Sequence, residues 1–101
     1  MIEAENKLII AIKSIEELTT LFYQQKSEEG YQKLDTTLSN IADVIEYLYE
    51  YNNETINYIN EIQTILYKAV VSLEKKDTIL LSDILNYELK NVLETAHKVL
   101  N

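Results

Sequence analysis

The sequence predicts an all-α protein folded as an antiparallel up-down-up-down four-helix bundle. Three observations predict it. Apolar residues recur at spacings of three and four through the middle of the chain, at Tyr31, Leu34, Leu38, Ile41, Ile45 and Leu48, and then at Ile59, Ile62, Leu66, Ala69 and Leu73. Side chains spaced in this way stand on one stripe of a helix and are buried against other helices. One Gly and no Pro in 101 residues leave few interruptions, and the 26% of charged residues are interleaved with the 47% that are hydrophobic.

The first helix, about Ile2 to Lys26, carries Leu8, Ala11, Ile15, Leu18 and Phe22 on its stripe, with Ile12 beside it. Ser27-Glu28-Glu29-Gly30 follows, in which Ser27 is a cap for the next helix and two carboxylates favour its dipole. Gly30 is free to take a left-handed backbone there. The second helix spans about Tyr31 to Tyr51 and the third about Glu54 to Lys75, with Asn52-Asn53-Glu54 as the turn between them. The 3-4 stripe runs through this turn in register, so the alternative is three helices with one continuous helix over 31–75, roughly 65 Å long. Lys75-Lys76-Asp77-Thr78 places cations at the end of the third helix and an N-cap at the start of the fourth. That helix, about Ile79 to Leu100, presents Leu81, Leu85, Leu89, Val92, Ala96 and Val99 to the core.

Composition sets limits on function. A single domain over residues 1–101 is long enough to bury roughly 60–70% of its unfolded surface. Without Cys it has no disulfide framework and no thiolate metal site, so a reduced cytoplasmic location is the expectation. The acidic start, Met1-Ile2-Glu3-Ala4-Glu5, does not resemble a signal peptide, and no run approaches the ~18 apolar residues of a membrane span. Net charge is −8, and all nine basic residues are Lys. Nucleic acid and anionic membranes are therefore poor partners. Abundant Ile, Asn, Lys and Tyr with no Arg match the codon bias of an AT-rich genome, which accounts for part of the Tyr and Asn content.

Catalytic constellations are scarce. Glu94-Thr95-Ala96-His97 has the Glu-x-x-His spacing of di-iron bundles, but Glu94 falls nearly opposite the core stripe and His97 about 120° from it. No metal or other cofactor is expected. One His, no Cys, no Arg and no Gly-rich loop exclude a Ser-His-Asp triad, a P-loop and a dinucleotide fingerprint, so an enzyme is not expected.

Two surfaces remain as partner-binding candidates. On the second helix Val44, Tyr47 and Tyr51 form a row away from the chosen core stripe, and Tyr offers large contact area at low entropic cost. On the fourth, Leu80, Asp83 and Tyr87 cluster opposite the core, with Ile84 and Glu88 on the flanks. This second row is either a binding face or the sign of a different core face. Residues 77–89 resemble a segment in small uncharacterised helical proteins of low-GC bacteria, some encoded beside flagellar and motility genes. Asp77, Leu80, Leu81, Asp83, Tyr87, Glu88 and Leu89 carry the likeness, whereas Thr78 stands where such sequences more often have an aromatic and Ser82 where they have Ala. The resemblance implies a protein-interaction module, akin to a flagellar or secretion chaperone, that binds an amphipathic client helix. A structural or regulatory homodimer is the alternative, and a metal-binding bundle enzyme the third.

Overall fold

The computed structural model of the protein describes residues 2–51 and 53–100, with side chains described at 6–51 and 54–100. Helix α1 is Ile2–Tyr23, α2 is Ser27–Tyr51 and α3 is Ile56–Glu74. A fourth helix, 78–100, is composite: α4 (Thr78–Asp83) continues into a π-helical segment (Ile84–Leu89) and then into α5 (Lys90–Leu100). Among the described residues there is no strand, and the architecture is the expected four-helix bundle.

Antiparallel pairing is visible in the polar contacts. Glu17 meets Lys33, Ser14 meets Asn40 and Lys7 lies over Tyr47, so α1 and α2 run in opposite directions. Tyr23 with Asp83 and Glu16 with Lys90 do the same for α1 and the fourth helix. Lys68 reaches Glu88 from α3. Packing is closest between α1 and α2 and sparse between α2 and α3.

The break between α2 and α3 is a 3-10 turn, Asn53–Thr55; Asn52 lies outside the described residues. Thr55 Oγ1 donates to the Leu48 carbonyl at 2.6 Å and ties the turn to the end of α2. A continuous helix over 31–75 would be roughly 65 Å long. The longest dimension of the bundle is 38 Å, which excludes it.

The other two loops share one construction. After α1, Gln25 N–H donates to Phe22 O and Lys26 N–H to Leu21 O; after α3, Lys76 N–H donates to Leu73 O and Asp77 N–H to Ser72 O. Each is a Schellman motif, with its left-handed residue at Gln25 (φ 62) and Lys76 (φ 57). Asp77 then caps α4, accepting from the Leu80 N–H at 2.9 Å. At the start of α2 the Gly30 N–H bonds to the Lys26 carbonyl, so Lys26 holds the cap position and Ser27 is the first helical residue rather than the cap.

Gly30 is not the left-handed loop residue that the sequence suggests. It is buried inside α2, and a Cβ built on it would lie 2.5 Å from the Phe22 ring. It begins the true core stripe of α2, Gly30, Leu34, Thr37, Ile41, Val44 and Leu48. Relative to the expected stripe, Tyr31, Leu38 and Ile45 give way to residues one position earlier. Leu34, Ile41 and Leu48 serve both.

In the fourth helix Leu81, Leu85, Leu89, Val92 and Ala96 are buried as expected, but Val99 is 63% exposed. A π turn takes one residue more than an α turn to return to the same face. Downstream of it the inward face moves by one position, so Leu93 and Leu100 pack on the core and Val99 turns out. Ile84, expected on a flank, is buried at the first position of the π segment.

Gly30 and Lys76 should respond to substitution with opposite signs. Ala is the better helix former by about 1 kcal/mol, yet Gly30→Ala should lower the melting temperature because crowding in a packed core costs about 1–3 kcal/mol. Lys76→Gly should raise stability by about 1 kcal/mol by relieving the left-handed backbone. Thermal melts of the two variants check both signs, and a stabilised Gly30→Ala would contradict the packing described.

Candidate functional site

The predicted row on α2 does not form. Val44 is 1% exposed and belongs to the core, because the stripe of α2 is turned by one residue from the expected one. Tyr47 and Tyr51 are half-buried, and Lys7 of α1 lies 5.9 Å from the Tyr47 ring centroid. Tyr47 thus faces the neighbouring helix.

The row on the fourth helix is partly open. Leu80 is exposed and Tyr87, at 68%, is the most exposed of the large hydrophobic side chains described. Asp83 is half-buried and accepts a 2.5 Å hydrogen bond from Tyr23 OH across the α1 interface. Glu88 is ion-paired with Lys68 on α3. Burial, the Asp83 hydrogen bond, the Asp83 charge and nearby Tyr87 all push the Tyr23 phenol well above its ordinary range. Asp83 and Glu88 therefore tie the helix to its neighbours, while Leu80 and Tyr87 are exposed.

A second apolar surface lies where α2 and α3 meet. Leu38 is 36% exposed and Val70 48%, and together with Leu34, Leu66, Leu73 and Leu85 they line an apolar dimple of about 20 Å³. At 100° per residue, Tyr31, Ile45 and Tyr49 share the Leu38 flank of α2, and Ile56 and Tyr67 share the Val70 flank of α3. Tyr31, Tyr49, Ile56 and Tyr67 are exposed, and Ile45 packs partly against the core. The residues that the 3-4 spacing assigns to the core thus form the α2 wall of a shallow groove. The signal was present as two apolar seams on α2, offset by one residue.

Glu94 is exposed and His97 half-buried, and among the described residues no group of three His, Asp or Glu side chains is placed to hold a metal ion. No described helix is long and apolar enough to cross a membrane.

The Tyr23–Asp83 bond predicts an alkaline weakness. With the folded-state phenol raised above its ordinary value near 10, this contribution is fully present below about pH 10 and is lost as pH rises beyond it. Tyr23→Phe should melt below the parent at neutral pH by about 1 kcal/mol and lose less stability than the parent as pH rises above about 10. Parallel melting series check this, and equal slopes would contradict it.

No curated protein and no solved structure matches the chain. A family model does: that of DUF8042, a domain of unknown function, covers residues 1–99. The chain, with its α2–α3 groove and its composite fourth helix, therefore belongs to the DUF8042 family.

Proposed function

We propose that the protein is a non-enzymatic interaction module that takes an amphipathic helix of a client protein into the α2–α3 groove. The observation that carries this reading is the half-exposure of Leu38 and Val70 above an apolar dimple, in a bundle whose α2–α3 contact is sparse. Such a groove suits a helix that inserts apolar anchors at i, i+3 or i+4, and i+7. Leu80 and Tyr87 supply a second contact at the fourth helix. The likeness of residues 77–89 to small helical proteins encoded near motility genes makes a cytoplasmic flagellar or secretion chaperone-like role the most concrete form of this reading. Shielding a client's apolar helix requires no catalytic group, and the net charge of −8 favours solubility of the complex.

Variants separate a groove from a core. Leu38→Ser and Val70→Ser should each cost about 1–2 kcal/mol, since only part of each side chain is withdrawn from water. Leu85→Ser, the buried control, should cost about 3 kcal/mol or more through its cavity and buried hydroxyl. A client captured by the parent protein should be lost by the two groove variants at unchanged fold. Retention of that client, or unfolding comparable to Leu85→Ser, would defeat the reading.

A further inference from the structure

The α2–α3 hairpin carries a charge asymmetry. Between Lys33 and Lys68 there is no basic residue, whereas the same stretch holds Asp35, Asp43, Glu46, Glu50, Glu54 and Glu61. All six are exposed. The two cations that bracket the stretch are committed elsewhere, Lys33 to Glu17 on α1 and Lys68 to Glu88 on the fourth helix. Six acids against no base place most of the chain's −8 on this one hairpin.

The acids and the groove adjoin. On α2, Asp35 and Glu46 stand one step outward from Leu38 and Tyr49, so the apolar wall rises to an acidic shoulder. Tyr49 and Tyr67, both exposed, add ring faces on either side.

We propose that the occupant of the groove is a cationic amphipathic helix of another protein. Its apolar face enters between Leu38 and Val70. Its Lys or Arg residues meet the carboxylates of Asp35 and Glu46 and the faces of Tyr49 and Tyr67, which attract cations through the ring quadrupole. Charge complementarity selects this occupant over a second copy. A two-fold dimer sets a patch against itself, and here it would bring the same carboxylates together. The inference rests on the α2–α3 groove being the binding surface, and the experiment distinguishes the two.

The full chain is titrated calorimetrically with a synthetic helical peptide of about 18 residues bearing a Leu face and Lys flanks, a length that spans the groove. Two controls are the same peptide with Glu for Lys, and a shuffled peptide of the first composition. The Lys peptide should bind at least about tenfold more tightly than either control, and more weakly as salt rises. Leu38→Ser should weaken it about tenfold. Glu46→Lys should weaken it about fivefold at low salt, and Glu94→Lys, the same charge change on the fourth helix, less than about twofold. Equal affinity for the Lys and Glu peptides, both lost in Leu38→Ser, would overturn the cationic partner while leaving the groove. Binding that ignores Leu38→Ser, equal loss in Glu46→Lys and Glu94→Lys, or no binding of any peptide would overturn both. A peptide-free dimer in sedimentation, dissociated by Leu38→Ser, would assign the groove to a second copy and overturn the proposal.

Discussion

The Phe22 ring lies directly on the backbone of Gly30, and the rotation of α2 follows from that contact. With no Cβ at Gly30, the first turn of α2 approaches α1 more closely than any other residue would allow. The side of α2 that carries Gly30 thus faces inward, and Thr37 and Val44, seven and fourteen residues on, come with it. Tyr31 crosses the edge of the Phe22 ring with centroids 5.4 Å apart and seals the contact from outside. The neighbouring seam is left on the α3 side, where Tyr31 and Leu38 stay exposed and Ile45 is only partly buried. The groove is therefore a by-product of how tightly α1 and α2 pack.

This explains which parts of the structure were legible in the sequence. The α1 stripe of Leu8, Ala11, Ile15, Leu18 and Phe22 is buried residue for residue, because α1 has one strong apolar seam and no rival. On α2 two seams compete, and apolar size favours the wrong one: Tyr, Leu and Ile at 31, 38 and 45 outweigh Gly, Thr and Val at 30, 37 and 44. A close approach of backbones rewards small residues, which a hydrophobicity pattern counts as weak. Val99 was misplaced for another reason, since nothing in Ile84-Leu85-Asn86-Tyr87-Glu88-Leu89 announces a π segment to a reader assuming 3.6 residues per turn. The exposure of Leu80 and Tyr87 was readable because both lie off the seam of Leu81, Leu85 and Leu89, which is buried as the 3-4 spacing expects. Val44 was lost from the candidate surface, and Leu38 gained for it, by the same one-residue rotation.

Buried hydroxyls follow a consistent economy. Thr19, Thr37 and Ser72 each donate to the carbonyl four residues earlier, so their burial within helices leaves no orphan donor. Ser82 departs from this: it is 0% exposed and its Oγ has no hydrogen-bond partner. An unpaired buried hydroxyl costs about 1–3 kcal/mol. It stands immediately before Asp83 and the π segment, where the helix turns from its contact with Tyr23 toward its contact with Lys68.

The unequal packing of the helices also gives the molecule a direction in which it yields. The fourth helix lies in the cleft between α1 and α3 and contacts both along its length, so it serves as a spine. The α2 and α3 helices are the two covers of a book, joined at one end by the 3-10 turn and by Thr55 on Leu48. Their separation costs least at the opposite end, beside Tyr31 and Leu73, where among the described residues no such tie joins the covers and the apolar dimple already lies nearby. That end of the α2–α3 pair is therefore where the bundle yields first, while the spine keeps its shape.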